Sequence, residues 1–201
     1  MNNEQNTSIN QEQIKKDVYI KEEYAIILDF LPNGYINDTR PFHKKTAIAQ
    51  AIGKDKFTLL ELVPKKDIFL QPYEEVYIGD GKRDKIHHIN GKLTIEKLTR
   101  TASAELEHVI HNLIRKNPQK YIDFFNKSQP LTTRMHVLEL LPGLGKKHMW
   151  EIIKEREIEP FKSFEDIKKR VKLMPDPEKA IVKRILQELS GKEKHILFLD
   201  R

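Results

Sequence analysis

The stretch LELLPGLGKKHMWEII, residues 138–153, decides how the second half of this chain is expected to fold. Apolar residues recur at helical spacing on both sides of a Pro-Gly-Leu-Gly segment, which indicates two helices joined by a tight turn. Pro142 limits the first helix, while Gly143 and Gly145 tolerate the positive φ angles that such a turn requires. Leu144, between the glycines, is expected to fill the gap between the helices.

The same turn carries a second signal, because two lysines stand where the second helix begins. Lys146 and Lys147 are disfavoured at a helix N-terminus, whose free N–H groups already create a positive potential. A bound anion removes that conflict, and the missing Cβ atoms of the glycines let an oxygen atom approach the backbone closely. The sequence therefore predicts that Gly143, Leu144, Gly145, Lys146 and Lys147 form a phosphate contact.

Residues 138–153 resemble the helix-hairpin-helix motif, whose members bind the sugar-phosphate backbone of nucleic acid without reading its sequence. Met149 stands where that motif usually has a small residue, so the helix pair is expected to be slightly wider. A degenerate second copy is outlined at 163–190, but its turn, LMPDP at 173–177, has no glycine, and we expect a structural partner with little phosphate affinity. The alternative for the first hairpin is a plain connector between packed helices.

The remainder of the helical half, residues 99–201, is assigned from its apolar periodicity. A long amphipathic helix is expected around 106–114, and another is expected to start at Thr132 or Thr133 and to run into the proline of the turn. The last stretch, HILFLD at 195–200, has the character of a strand and is expected to pack back on the β unit.

The first half, residues 18–98, is expected to be a small antiparallel β unit. Five short apolar runs are separated by turns, beginning with YAIILDFL at 24–31. Most of these connections are too short to contain a crossover helix. An OB-like barrel fits this count, and an open β-sandwich fits almost as well. Residues 1–17 are polar and are expected to form a disordered tail. The predicted fold class is α+β, a small antiparallel OB-like β-barrel followed by an all-α helix-hairpin-helix domain.

Composition favours a polyanion as the partner. The chain has 36 Lys and Arg against 30 Asp and Glu, which gives a formal charge of +6. There is no cysteine, which excludes disulfides and thiolate metal sites and favours a cytoplasmic location. Apolar runs are too short for a membrane span and the polar start lacks the core of a signal peptide, so we expect a soluble protein that is not exported.

Basic residues of the β unit predict a second contact. Lys44, Lys45, Lys82 and Arg83 are expected to line one rim of the barrel and to guide a single strand past aromatic platforms. The candidate platforms, for which core packing is the commoner fate, are Tyr35, Phe42 and Tyr77. The loop GDGKRDK, residues 79–85, fits a phosphate-gripping loop and a charged hairpin turn equally well.

The histidines and the single tryptophan have less specific patterns. His87 with His88, and His108 with His111, lack a third well-placed ligand, so surface histidines are expected rather than a metal site. Trp150 is able to stack on a base, but packing against the neighbouring helices is the expected role.

A repair glycosylase is the enzyme alternative. Lys147 with Asp166 has the order of a catalytic lysine and a downstream aspartate, but Asp166 is also the capping partner of Ser163. The helical region is also short for enclosing an extruded base. A non-catalytic protein is therefore expected, without cofactor or metal.

Four stretches together resemble an archaeal family of uncharacterised proteins described as nucleotide- or nucleic-acid-binding: RMHVLELLPGLGKK, FFNKSQPLTTR, PFKSFEDIKKRV and GDGKRDKI. The resemblance covers the chain from about residue 22 to the end. It implies an OB-like N-terminal domain, a helix-hairpin-helix C-terminal domain and a cytoplasmic protein of the archaeal information-processing machinery, near ribosome assembly or translation.

These observations predict a protein that binds the backbone of nucleic acid, RNA in preference to DNA. Its expected partners are nucleic acid and, with it, ribosomal particles or other information-processing proteins. A protein interaction module, in which the hairpin is only scaffold, is the competing class.

Overall fold

The computed structural model describes residues 22–41 and 45–199, so the predicted tail, Phe42 and Lys44 lie outside the described residues. The strands are β1 Tyr24–Leu31, β2 Ile48–Gly53, β3 Leu59–Pro64, β4 Glu75–Tyr77, β5 Ile86–Lys92, β6 Pro130–Thr132 and β7 Met135–His136. The α-helices are α1 Arg100–Lys116, α2 Gln119–Lys127, α3 Lys146–Ile158, α4 Phe164–Arg170 and α5 Pro177–Leu189. Short 3₁₀ helices span Ile95–Lys97 and Val137–Leu140.

The first five strands form one antiparallel sheet in the order β4-β1-β2-β3-β5. The register of β1 slips between Ile27 and Asp29, and β3 has two similar irregularities, which bend the strands and increase their twist. Within the described ranges β4 and β5 are the edges and do not pair with each other, so the curled sheet is a half-barrel rather than a closed one. The predicted α+β class with five antiparallel strands is confirmed.

One apolar core joins the sheet to the helices. Ile26 and Leu28 of β1 belong to the same buried cluster as Leu106 and Ile110 of α1, whose amphipathic pattern predicted a buried face. The alternate residues of β1 point to the opposite face, into a second cluster. The division into two domains at residue 98 stays a prediction.

A buried polar network fixes the point where the chain leaves the sheet and enters α1. Gln50 is fully buried, its Nε2 donates to the Lys97 carbonyl at 2.9 Å, and its Oε1 accepts the Thr99 N–H at 2.7 Å. Thr99 caps α1 by accepting the Ala102 N–H at 3.0 Å, and its hydroxyl donates to Asp29 at 2.6 Å. The side-chain groups of Gln50 and Thr99 therefore have partners on both sides of the junction, which sets the position of α1 on the sheet.

The helix predicted from Thr132 or Thr133 up to Pro142 is wrong. The chain forms the β6–β7 hairpin there, followed by a single turn of 3₁₀ helix at Val137–Leu140. The apolar spacing of three that suggested an α-helix also suits a 3₁₀ helix, which has three residues per turn. His136 caps this turn through its side chain, and Glu139 reaches back to the His136 N–H.

The prediction of a final strand on the β unit is also wrong. The segment 197–199 lies on the helices, where the Glu188 carboxylate of α5 accepts its three successive N–H groups at 2.8, 3.0 and 3.2 Å. The Phe198 ring packs against Tyr121 and Phe124. A side chain of α5 thus satisfies backbone groups that a neighbouring strand would otherwise have paired.

Candidate nucleic-acid interface

The turn before α3 is shaped by one glycine and one leucine. Gly143 has the positive φ that was predicted, +85°, and a Cβ at this position would lie 3.1 Å from Pro175 Cγ. The Leu144 N–H donates to the Leu141 carbonyl at 3.1 Å, and the Leu144 side chain is buried in the helical core. Gly143 itself is exposed, so the turn lies at the surface.

Gly145 has a different role, and the positive φ predicted for it is wrong. Its φ of −95° and ψ of 178° are ordinary extended values, and it occupies the N-cap of α3 without a side chain that could accept from the first helical N–H groups. The first helical bond runs from the Met149 N–H to the Gly145 carbonyl, at 3.1 Å. A Cβ on Gly145 would meet no atom within 4 Å, so the start of α3 is open to an external oxygen atom.

Two cations flank this opening. Lys146 and Lys147 are both exposed, and the first turn of α3 contains no acidic residue. In the part of the chain that the structure describes, neither lysine has a salt bridge. The free N–H groups, the helix dipole and the two ammonium groups therefore add up to a local positive potential.

The turn of the second helical hairpin lies directly beside the first. His148 Nε2 donates to the Leu173 carbonyl at 3.1 Å, and the Glu151 carboxylate accepts the Lys172 N–H at 3.0 Å. Pro175 packs under the glycine of the first turn. The two turns thus form one continuous surface, although 30 residues separate Gly143 from Leu173 in the sequence.

This contact brings in two residues that sequence reasoning missed. Lys172 is exposed next to the first turn, and Leu173 is 88% exposed with a positive φ of +58°. A leucine in this left-handed conformation costs about 1–2 kcal/mol relative to a relaxed backbone. The sequence signal for this strain is the turn at 173–177, which has no glycine although its backbone adopts a positive φ at Leu173.

On the sheet, Lys45 belongs to a basic groove of about 710 Å³. Four further basic residues line this groove. Sequence reasoning missed Lys65 and Lys66, and it assigned His87 and His88 only as surface histidines. Phe69, which is 76% exposed and packs edge-on against Phe30, supplies the aromatic surface. The combination of cations with an exposed ring suits the passage of a single strand.

Lys82 and Arg83 lie in the loop between β4 and β5, and neither belongs to the lining of that groove. Lys82 is exposed, while the Arg83 guanidinium donates to the Gly79 carbonyl at 2.9 Å and so closes the loop on itself. The Lys65 ammonium group, which also lines the groove, donates to the Arg83 carbonyl. The loop therefore has internal contacts of its own, and its two predicted roles stay open.

The aromatic platforms predicted from the sequence are engaged in internal contacts. The Tyr77 ring packs against Tyr24, and its hydroxyl accepts the Gly81 N–H. The Tyr35 hydroxyl donates to Glu61, and burial together with this carboxylate raises the pKa of Tyr35 to about 12. Both side chains therefore have internal contacts, and their role as stacking platforms stays a prediction.

Asp166, the aspartate of the glycosylase alternative, has structural contacts. The Asp166 carboxylate accepts the Lys162 N–H at 3.1 Å and lies 3.4 Å from the Arg170 guanidinium, while Ser163 caps α4 through the Asp166 N–H.

One of the histidines considered for a metal site has a carboxylate partner, since His111 pairs with Glu178 at 2.8 Å. Across residues 22–41 and 45–199, no three His, Cys, Asp or Glu side chains are grouped so as to hold a metal ion.

A family described as "Protein of unknown function (DUF655)" matches residues 21–200. The chain belongs to the DUF655 family. A relative of this DUF655 protein, "Uncharacterized protein MJ0038" from Methanocaldococcus jannaschii, is 43% identical over 180 residues, which are 89% of this chain and 80% of the relative. The crystal structure of Af1531 from Archaeoglobus fulgidus, a DUF655 member, is 48% identical, superposes with a TM-score of 0.84, and covers 89% of this chain and all of its own.

The predicted resemblance to an archaeal family of uncharacterised proteins is confirmed at the level of the family. None of the helices in the described ranges is long and apolar enough to cross a membrane.

Proposed function

We propose that this DUF655 protein binds nucleic acid through the sugar-phosphate backbone, with residues 143–147 as the main contact. The observation that carries the proposal is the open start of α3, where uncapped N–H groups and two exposed lysines face outward together. Phosphate oxygens satisfy such N–H groups, and the helix dipole adds to the attraction. Because no base takes part in this contact, affinity is expected to be similar for unrelated sequences.

The proposal includes the finer architecture, an OB-like sheet joined to a helix-hairpin-helix unit. The curled antiparallel sheet supports the first part. The second part is supported by the contact between the turn that precedes α3 and the turn that joins α4 to α5. The basic rim of the sheet is then a second contact surface, in which Lys45 lines the groove that carries Phe69. Lys82 and Arg83 extend this proposed surface along the β4–β5 loop, which Lys65 of the groove contacts at the Arg83 carbonyl. Lys44 belongs to the same proposed rim, outside the described residues.

We expect RNA to bind better than DNA, in a cytoplasmic protein that acts in ribosome assembly or translation and catalyses no reaction. The formal charge of +6 supports a polyanion as the partner. Competition between RNA and DNA strands of the same sequence tests the preference directly.

A charge reversal tests the main contact. In the Lys146→Glu/Lys147→Glu variant, affinity for labelled RNA is expected to fall about tenfold or more for every sequence, and the slope of log K against log salt is expected to flatten by about one to two. Fluorescence anisotropy at several salt concentrations measures both quantities. The matched control is Lys183→Glu/Lys194→Glu, which makes the same change in net charge at two exposed lysines outside the turn and outside α3. Equal losses in both variants would remove the turn from the proposal.

Crosslinking in cells distinguishes this function from a protein interaction module. Recovered RNA or ribosomal particles support nucleic-acid binding. Recovery of protein alone, with no RNA, would overturn it.

A further inference from the structure

A second groove, separate from the sheet, opens beside the first turn of α3. It has a volume of about 630 Å³ and lies between the β6–β7 hairpin and one face of α3. Lys146 lines this groove and also flanks the open start of the helix. The groove is therefore continuous with the proposed phosphate contact.

The exposed ring of Trp150 forms one wall of the groove. Trp150 is 65% exposed, so the prediction that it packs between helices is wrong. It is the only tryptophan in the chain, and it lies one helical turn beyond Lys146 on the same face of α3. Met135, Met149 and Ile153 add apolar surface to the groove. A flat, exposed indole beside an apolar floor suits the face of a planar ring.

Positive charge outweighs negative charge around the groove. Its lining has three cations, Arg134, Lys146 and Arg156, against one carboxylate, Glu139. The Glu139 carboxylate is already held by the His136 N–H at 2.8 Å. A ligand that combines a planar ring with an anionic group would match both the indole and the cations.

Arg156 is held rigidly in this lining. Its guanidinium donates to the Phe125 carbonyl at 2.9 Å and to the Ser128 hydroxyl at 3.1 Å, both at the end of α2. Both of these acceptors are neutral groups. Hydrogen bonds to neutral groups therefore fix the position of this charge.

His136 supplies an unpaired donor in the same lining. The residue is only 5% exposed, and its Nδ1 accepts the Leu138 N–H at 3.1 Å, so the proton of the neutral ring is on Nε2. Among the described residues, Nε2 has no hydrogen-bond partner. A buried donor without an acceptor is costly, and His136 belongs to the lining of the groove that the ligand would occupy.

From these contacts we propose that the groove holds one unstacked nucleobase of a single-stranded nucleic acid, stacked on Trp150, while the neighbouring phosphate reaches Lys146 and the start of α3. This inference rests on the proposed function and adds to it a contact that duplexes cannot make. The groove then selects single strands, whereas the turn at 143–147 accepts any backbone.

The single tryptophan makes the test direct. Titration with a short oligouridylate is expected to quench the fluorescence of Trp150, because the base stacks on the indole. An abasic oligonucleotide of the same length has the backbone without bases, and it should bind without comparable quenching. Uridine monophosphate is the third probe, and it should quench only at concentrations far above those needed for the strand.

The matching variants are Trp150→Ala and Ile158→Ala, since Ile158 is another exposed apolar residue of α3, at 71% exposure. By anisotropy, Trp150→Ala is expected to weaken oligouridylate binding about tenfold and to leave abasic binding unchanged. Ile158→Ala should change neither.

Each outcome has a defined meaning. Equal binding of oligouridylate by Trp150→Ala and the unaltered protein would overturn the base site and leave backbone binding intact. Quenching by uridine monophosphate at the concentrations that suffice for the strand would overturn the strand assignment in favour of a free nucleotide. No binding of any oligonucleotide would overturn the proposed function itself.

Discussion

Gly143 and Gly145 are separated by one residue, yet the backbone requires glycine at only one of them. Gly143 has a left-handed backbone and a close neighbour in Pro175. Gly145 has an extended backbone and open space around its Cα. The first glycine therefore maintains the fold of the turn, and the second leaves the start of α3 accessible.

Substitutions are expected to separate these roles. Gly143→Ala should lower the free energy of unfolding by about 1–2 kcal/mol, because alanine is strained at this φ and its Cβ would crowd Pro175. Gly145→Ser should raise it by about 0.3 kcal/mol, because serine is a better N-cap than glycine. The same serine should weaken RNA binding, since its hydroxyl occupies an N–H group that a phosphate would use. Urea unfolding and anisotropy measure the two effects, and a serine variant with unchanged affinity would contradict the account.

His136 predicts a pH dependence of stability. Burial, and then the nearby charge of Arg156 on α3, lower the pKa of His136, while Glu139 acts in the opposite direction. The unfolded chain, with an ordinary imidazole pKa of about 6.5, therefore takes up a proton before the folded one does. The contribution of His136 to stability is fully present above that pKa and is lost as pH falls below it.

The His136→Asn variant isolates this effect, because asparagine can cap the 3₁₀ helix but does not titrate. The range from about pH 7.5 to about pH 5.0 extends roughly one pH unit or more on each side of the unfolded-state pKa of about 6.5. Over this range the unaltered protein should lose more stability than the variant. Urea unfolding at several pH values checks this. Parallel pH profiles for the two proteins would show that His136 does not contribute.

At the scale of elements, α5 anchors the segment that follows it. The Arg184 and Glu188 side chains form a buried pair at 2.9 Å, with exposures of 4% and 0%. Glu188 also accepts the N–H groups at 197–199, and Arg184 donates to the carbonyls of Leu140 and His195. One ion pair thus connects three parts of the helical half.

Glu188→Gln is expected to lower the free energy of unfolding by about 3 kcal/mol, because it leaves the Arg184 charge only partly compensated and places an amide donor against backbone donors. The control is Glu193→Gln, which alters a second, more exposed carboxylate partner of Arg184 at 3.0 Å and should cost less than about 1 kcal/mol. Urea unfolding measures both. Equal costs would mean that the anchoring by Glu188 has been overestimated.

Elements with an unambiguous period were predictable from the sequence. In α1 the apolar residues Leu106, Val109, Ile110, Leu113 and Ile114 cover one continuous face, and all are buried. The stretch before the first turn was ambiguous, because apolar residues three apart fit either helix type and the β6–β7 hairpin has few residues. The segment 195–200 looked like a strand, but a distant carboxylate binds its N–H groups, and no local pattern reveals that partner.

Whole-molecule features were less accessible to sequence reasoning. The open first turn followed from local chemistry, since a glycine before two lysines is visible in one short stretch. The neighbouring Leu173 turn and the Trp150 groove depend on contacts between residues that are distant in sequence. Periodicity does not encode such contacts, so the sequence predicted only the central part of the candidate surface.

A single shared core predicts a single unfolding transition. Ile110 of α1 is fully buried in the cluster that also contains Ile26 and Ile52 of the sheet. Ile110→Ala should therefore cost about 2–5 kcal/mol and lower the urea midpoint of helices and strands together. Far-ultraviolet ellipticity reports the helices, and NMR amide signals of β1 and β2 report the sheet. A sheet transition that stays in place in this variant would show that the two units unfold independently.

The second buried cluster has a consequence for what the sheet can accommodate. On the face away from the helices, Ala25, Ala49 and Ala51 pack under larger side chains such as Leu62 and Ile86, and all five are almost completely inaccessible. The curled strands thus enclose packed side chains at the position where a ligand-binding barrel has its cavity. We therefore expect a ligand of this sheet to bind at its outer border rather than between the packed side chains of this cluster.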